Sequence, residues 1–497
     1  MNNMEWKEYF QDRIKATPIL AKGNTGNNIF KERAIMFRLS RFANDFLMGN
    51  TDSRLIVMYG LRGIGKSTIL LQLYNRLTTG KLFREVDETK KVSPENIIYI
   101  SIDQTLLQSI FQESKSPLLE AVKKFCEEIH GQTIEKLDKK IFVFIDEAQF
   151  DPNWAVAAKT IYDSTKNIFL IITGSSAMAL HLNTDTARRA IKEPLFPLSF
   201  LEYNVIKNNI FPIQNTSDKL KRLVLQNDIT TAPEINKSMQ SILTEMKNKG
   251  KNFESELNEY ITLGGLPNSL PSTKEITYRR LIDMINRIVN QDLPLVDNFE
   301  SKTIPDIIRI VGSLASKPQG ELSQNKLAQH LSIPVAKVKT ILEALEKTQL
   351  IFSVKPFPDT KPVDGLSKQF KYYFMTPTLL SAIRFFNGKT IASPQEESNL
   401  WEHAVAGTLY KLCYTTGTIY NLFYDPTTKD SCVDFILQNP LSGEVIPIEV
   451  GLNKDNIQVK DAIERYKSRY GIVVSNFDEI TIRDKIIKIP FWIFLYM

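Results

Sequence analysis

Cysteine and histidine are scarce in this chain of 497 residues. Its three cysteines, Cys126, Cys413 and Cys432, lie far apart, and its four histidines, His130, His181, His330 and His403, are equally scattered. That excludes a disulfide framework and a zinc site of paired cysteines or clustered histidines, and it suits a reducing compartment. Long apolar runs are missing too. The longest, such as IPFWIFLYM at 489–497, stop at about a dozen residues, where a bilayer span needs about 20. The opening stretch, MNNMEWKEYFQDRIK, carries charges every few positions and has no apolar core, so it is not expected to be a secretory signal. The excess of one charge sign is small: 62 Lys and Arg against 56 Asp and Glu, a net +6. Such a balance permits a nucleic-acid partner without requiring one. The expectation is a cytoplasmic protein with no membrane partner.

What is present is ordinary for a folded chain, with 43% hydrophobic and 24% charged residues. At roughly 150 residues per domain the length suggests about three domains. The segments 55–59, 97–102, 141–145 and 168–172 are nearly all apolar rather than alternating. Strands covered on both faces read this way, so an α/β fold with a parallel sheet flanked by helices is expected from about residue 29 to 203. Polar helical segments follow to about 300, then a compact helical unit to about 354. Strands return from there to the end.

Gly60-Leu61-Arg62-Gly63-Ile64-Gly65-Lys66-Ser67 fits the pattern G-x-x-x-x-G-K-[ST]. An apolar strand, LIVMY, runs into it and a helix-forming stretch, STILLQLYNRL, leaves it. The glycines let the loop wrap a phosphate chain with its N–H groups, and the helix adds the positive end of its dipole. Lys66 is expected on the β- and γ-phosphates and the Ser67 hydroxyl on Mg²⁺. Ile64 and Thr68 belong to the same cofactor-binding stretch.

The strand at 141–145 ends in Asp146-Glu147. Strand ends face the ligand crevice in such sheets. Asp146 is expected to hold the Mg²⁺ shell, and Glu147 to orient and polarise the attacking water. Alone, the pair also reads as an acidic helix start; beside the loop it reads as a nucleotide site. The strand at 168–172 ends in Thr173-Gly174-Ser175-Ser176. Ser175 is a candidate for contact with the γ-phosphate or the water, and equally for a helix N-cap. Downstream, Arg188-Arg189 offers a guanidinium for transition-state charge, in cis or on a neighbour, or an ordinary surface pair.

The order of loop, Asp-Glu-Ala-Gln strand, Thr-Gly-Ser-Ser strand, arginine and PLSFLEY resembles the prokaryotic predicted AAA-type ATPases that carry a winged-helix domain and a C-terminal restriction-nuclease-like domain. Tyr260–Pro267 (YITLGGLP) and 288–292 (IVNQD) carry the same resemblance. That family usually has Gly-Arg where this chain has Arg188-Arg189, so Arg189 is matched to its catalytic position. The resemblance implies an AAA-type P-loop domain over 1–205, a helical lid or insert over 206–300, a winged helix-turn-helix over 301–358 and a nuclease-like domain over 359–497. ATP as the nucleotide is implied by the resemblance alone, because the loop reads phosphate and not base.

Ser323 opens the helical stretch NKLAQHL, Ser332-Ile333-Pro334 makes a turn, and VAKVKTILEAL follows as a second amphipathic helix before the strand-like LIFSV. This pattern is a helix-turn-helix with the start of a wing. Lys337, Lys339 and Thr340 are its candidates for nucleic-acid contact. The helix carries no Arg, which weakens base-specific reading; a protein-protein joint is the other reading. In the C-terminal region, the resemblance implies a second metal site at Glu402, Asp434 and Glu449. Two departures stand out. Gly451 replaces the lysine of the resembled nucleases, and Cys432 stands where they often have Glu. Lys454 is the candidate substitute from the loop. Losing that ammonium removes charge stabilisation, so a degenerate nuclease fold is expected, and Asp434 and Glu449 also read as plain edge-strand polar residues.

These readings converge on an ATP-binding, Mg²⁺-dependent ATPase that positions its winged-helix and nuclease-like parts on DNA, on a protein partner or on a second copy of itself. Two alternatives belong to other classes: an ATP-gated, metal-dependent DNA endonuclease, and a non-hydrolysing switch that docks a partner.

Overall fold

Each apolar run in the first 195 residues forms a strand buried on both sides. A computed structural model describes residues 3–23, 31–83, 85–103, 116–175, 184–270, 272–297, 299–316, 323–358, 370–389, 394–414, 419–427, 431–454 and 456–497. The chain divides into two compact units, Met1–Leu195 and Phe196–Met497.

The first unit holds β1 (Leu55–Gly60), β2 (Ile97–Ser101), β3 (Ile141–Asp146), β4 (Ile168–Gly174) and β5 (Ile191–Leu195). All pairings are parallel, in the order β2–β3–β4–β1–β5. The flanking helices are α1 (Asn3–Gly23), α2 (Ile35–Leu47), α3 (Lys66–Thr79), α4 (Pro117–His130) and α5 (Trp154–Ser164). Successive strand side chains point to opposite faces. Leu55, Val57, Val143, Ile145, Leu170 and Ile172 join Trp6 and Phe10 of α1, Phe125 of α4 and Trp154 of α5 in one core. On the alternate positions, Phe142 and Phe169 meet Phe46 of α2 with ring centroids 5.4 Å apart in each case. Neither face has a solvent side, which is why the runs carry no polar alternation.

The second unit begins with α6 (Thr216–Gln226), α7 (Ala232–Asn248), α8 (Phe253–Leu263) and α9 (Lys274–Arg287). Then come α10 (Ile304–Ser316), α11 (Gln324–Leu331) and α12 (Val335–Lys347). The Ser323 hydroxyl caps α11 by accepting from the Lys326 N–H at 3.1 Å, and Ser332, at φ 54°, ends the helix. Further elements are β6 (Ile351–Pro356), β7 (Lys371–Phe374), α13 (Pro377–Phe386), α14 (Pro394–Tyr414), β8 (Asn421–Tyr424), β9 (Phe435–Gln438), β10 (Val445–Val450), α15 (Ile457–Tyr466), β11 (Gly471–Ser475), β12 (Thr481–Arg483) and β13 (Ile486–Pro490), with short helical turns among the earlier helices and after β13.

Eight strands form one mixed sheet in the order β12–β13–β11–β10–β9–β8–β6–β7. The β6–β7 hairpin that follows α12 is therefore continuous with the C-terminal sheet, joined by Lys355 opposite Phe423 and Pro356 opposite Tyr424. Val459 and Ala462 of α15 pack on this sheet with Ile436, Val473 and Ile486.

The apolar run at 489–497 is core. Trp492 meets Phe253 at 4.9 Å and Tyr496 meets Phe200 at 5.3 Å between ring centroids, and the Tyr496 phenol accepts from Asn204 Nδ2 at 2.8 Å. No described helix is long and apolar enough to cross a membrane. The PLSFLEY and GGLP segments also meet. The Leu198 N–H donates to Gly265 O at 2.9 Å, and the Tyr260 hydroxyl donates to Leu198 O at 2.9 Å.

Candidate nucleotide site and the C-terminal charged cluster

β1 delivers Gly60 to the sheet edge, and α3 starts six residues later at Lys66. Between them Gly63 has φ 78° and Gly65 φ 96°, a region where side-chain-bearing residues are strained, so the motif's glycines follow from the path of the loop. Lys66 is only 7% exposed. Its ammonium donates to Gly60 O at 2.9 Å and to Leu61 O at 3.2 Å. Arg33, just before α2, donates from Nη1 to Ile64 O at 3.1 Å. Two cations thus hold three carbonyl groups of the loop. Ser67 and Thr68 are half-buried in the first turn of α3.

The strand register places the acidic pair at the same edge. Tyr59 lies opposite Gly174 and Ile145 opposite Ile172. Asp146, 2% exposed, accepts from the Thr173 hydroxyl, from the Tyr99 phenol at 2.8 Å and from the Glu147 N–H at 3.1 Å. Burial and the Asp146 charge raise the Tyr99 phenol far above its ordinary pKa, with Ser67 nearby opposing the shift, so it stays a donor. The Tyr99 phenol thus lies beside both residues expected to hold Mg²⁺. A hydroxyl and a carboxylate are the hard oxygen donors this ion prefers, so the donor set fits.

Glu147 sits at φ 52°, a strained conformation for a non-glycine residue and one that clusters at functional sites. Burial raises its carboxyl pKa, Lys66 opposes the shift, and Asp146 adds to it. The Gln149 amide ties two elements together: its nitrogen donates to the Glu147 carboxylate, and its oxygen accepts from the Ser175 N–H at 3.1 Å. Ser175 is 6% exposed, and its buried hydroxyl has no hydrogen-bond partner among the described residues. An orphaned buried hydroxyl at this edge fits a phosphate or water ligand. Ser176 and the helix expected after it lie outside the described residues.

Arg189 is not brought to this edge. β5 pairs with β1 from Ile191 opposite Ile56 to Leu195 opposite Gly60. Because β5 is parallel, the residues just before it lie where the strands begin, across the sheet from the loop. The Arg189 Nε donates to Asp163 Oδ1 at 2.8 Å near the end of α5. A catalytic role in cis is corrected to a surface ion pair.

Tyr99, Gln149 and Arg33 were not singled out from the sequence as site residues. Their roles arise from strand pairing and from a helix start far along the chain, which no local pattern encodes. Of the three candidates on α12, Lys337 donates to Asp306 of α10 at 2.7 Å, and the Thr340 hydroxyl turns back to Ala336 O at 3.1 Å. Lys339 is exposed.

In the second unit Glu402 lies on α14, Asp434 just ahead of β9 and Glu449 on β10. Asp434 precedes the strand rather than sitting within it, and its Oδ2 accepts from the Val450 N–H at 2.8 Å. Glu402 Oε1 accepts from the Tyr373 phenol at 2.7 Å and lies 4.0 Å from the Lys371 ammonium. Glu449, 1% exposed, pairs through Oε1 with the Lys454 ammonium, while its buried Oε2 has no hydrogen-bond partner among the described residues. Burial, with Asp434 adding, pushes the Glu449 carboxyl up to about 8, against the pull of Lys454. Burial also raises Glu402, opposed by Lys371. Among the described residues no group of three or more His, Cys, Asp or Glu is gathered to hold a metal ion. With two ammonium groups among the carboxylates, these residues do not fit the divalent ion that the nuclease resemblance implies.

Residues 52–204 match the AAA domain family, and residues 254–390 match a domain of unknown function, DUF8612. The chain is similar to the uncharacterized protein MJ1637 of Methanocaldococcus jannaschii, at 29% identity over 99% of this chain and 94% of the relative. It is also similar to the uncharacterized protein MJ1544 of the same organism, at 23% identity over 88% of each. Among solved structures, the Walker-type ATPase PABY2304 of Pyrococcus abyssi aligns at 14% identity and a TM-score of 0.40, over 72% of this chain and 97% of that one.

Proposed function

We propose that the AAA-type P-loop domain of residues 52–204 binds ATP with Mg²⁺ and hydrolyses it. Its nucleotide state then positions the helix-turn-helix and nuclease-like parts of a cytoplasmic protein on nucleic acid or on a protein partner. The observation that carries this reading is the convergence of Lys66, Ser67, Asp146 and Glu147 at one sheet edge, from the end of β3 and the start of α3, which β1 leads into two strands away. The Lys66 ammonium exchanges its loop carbonyl partners for β- and γ-phosphate oxygens. Ser67 and Asp146 hold Mg²⁺, which supplies charge neutralisation at the transferring phosphoryl group. Glu147 accepts a hydrogen bond from the attacking water. Its burial makes it a stronger base than a surface glutamate, and the Gln149 amide fixes where it points. The Ser175 hydroxyl is free to bond the γ-phosphate or that water. The preference for adenine rests on the family resemblance.

The test is phosphate release from ATP by the full chain, with and without single- and double-stranded DNA. Lys66→Ala is expected to abolish turnover, and Glu147→Gln to leave ATP bound but intact. Stimulation by either DNA form identifies nucleic acid as the partner class. Wild-type turnover in Lys66→Ala would overturn the site, and tight ATP binding without turnover in the native chain would make it a holding switch.

A further inference from the structure

The charged cluster of the second unit departs from what the sequence resemblance implies. Glu402, Asp434 and Glu449 are joined by two lysines that come from outside that pattern. Lys371 enters from β7, the hairpin strand that pairs with β6 ahead of the C-terminal strands. It is half-buried beside Glu402 and lies over the Tyr424 ring at 5.3 Å. Burial by itself would lower the pKa of its ammonium, but Glu402 and Asp434 outweigh that and raise it. Lys454 arrives from the loop after β10 and pairs with Glu449.

Gly451 explains how Lys454 gets there. A Cβ at this position would lie 2.6 Å from Lys454 Cε and 3.3 Å from its Cγ, and the backbone has φ 152°. The aliphatic stem of Lys454 therefore runs over the bare Cα of the residue that replaces the nuclease lysine. The substitution at 451 and the lysine at 454 are one packing arrangement.

We propose that Lys371 and Lys454 are built-in cations that occupy the charge role of a divalent metal, so the nuclease-like centre closes as an ion clasp and takes up no Mg²⁺ or Mn²⁺. Lys371 ties β7 to α14, and the Asp434 carboxylate ties the start of β9 to β10 through the Val450 N–H. A divalent ion entering it would add two positive charges to a cluster whose carboxylates already face two ammonium groups, and desolvating that ion would cost far more than the remaining attraction returns. The buried Glu449 Oε2, which has no hydrogen-bond partner among the described residues, is a carboxylate oxygen open to a cation once an ammonium is removed.

The experiment measures Mn²⁺ uptake from the free-ion electron paramagnetic resonance signal. The full chain carries Asp146→Asn, so that the phosphate-loop centre contributes nothing, and no nucleotide is added. At millimolar Mn²⁺ this parent is expected to take up none. Adding Lys371→Met should create uptake of a single ion per chain, and adding Glu449→Gln to that variant should remove it. Lys371→Arg, which keeps the charge, should take up none. Should Lys371→Met fail to fold, Lys454→Met replaces it with the same expected gain. Uptake by the parent that Glu449→Gln abolishes overturns the proposal in favour of a working metal centre. Absence of uptake in every folded lysine variant overturns it as well. None of these outcomes depends on whether the first unit hydrolyses ATP.

Discussion

Tyr99 is the residue whose function the structure changes most. Its phenol, near Ser67, donates to one carboxylate oxygen of Asp146 at 2.8 Å and so competes with a metal for that carboxylate. A hydrogen bond to a charged group contributes about 1.5 kcal/mol or more. Tyr99→Phe is therefore expected to lower the Mg²⁺ concentration for half-maximal ATP turnover by about tenfold, read from a Mg²⁺ titration at saturating ATP. An unchanged titration would mean that the phenol does not compete with the ion. Glu256 makes a second residue-level case. Burial alone would raise its pKa, but hydrogen bonds from Asn208, Lys207 and Tyr203 outweigh that and hold the carboxyl down to about 2. The folded pKa lies below the ordinary value of 4.5, so this cluster stabilises the fold fully above that pH and loses its contribution as pH falls toward 2. Glu256→Gln should be less stable than the native chain at pH 7, and should lose less stability on acidification through that window. Urea unfolding midpoints against pH would show whether the two curves converge. The loop glycines, Lys66, Asp146 and Glu147 were legible because their chemistry lies in contiguous residues. Arg189 was misplaced because position along a parallel strand, and not nearness in sequence, decides which edge a residue reaches.

At the scale of elements, α1 shows how much an opening helix can carry. Its opening residues drew attention only for the signal peptide they lack, yet Trp6 and Phe10 enter the core of the first unit. Phe10 is fully buried, stacked on Trp6 at 5.6 Å and edge-on to Phe125 of α4 at 5.4 Å. Removing such a ring leaves a cavity under two elements at once, and Phe10→Ala should destabilise the unit by about 3–5 kcal/mol, measured by denaturant unfolding. A change under about 1 kcal/mol would mean that the helix is peripheral to the core. The β6–β7 hairpin is the complementary case. Its strand pattern and the helices ahead of it were readable, but its place at the end of an eight-stranded sheet was not, because β6 finds β8 about 70 residues later through backbone pairing.

For the whole molecule, two compact units with separate cores lead to a thermodynamic expectation. Calorimetry of the full chain should show two transitions. A non-hydrolysable ATP analogue with Mg²⁺, at about a hundred times its Kd, should stabilise the first unit by about 2.7 kcal/mol. The transition that moves should be the one lowered by Phe10→Ala, while the one sensitive to Glu256→Gln stays in place. Movement of both together would show that nucleotide binding is coupled to the second unit. The sequence by itself determined the phosphate loop, the carboxylate pair and the parallel sheet that carries them, since each follows from a contiguous run whose backbone has few ways to fold. Only the tertiary structure decided that Tyr99 and Gln149 lie against Asp146 and Glu147, that Arg189 lies at the other edge of the sheet, and that Lys371 and Lys454 lie beside the C-terminal carboxylates. Those placements depend on long-range strand pairing and on burial, which bring together charges from elements that no local pattern connects.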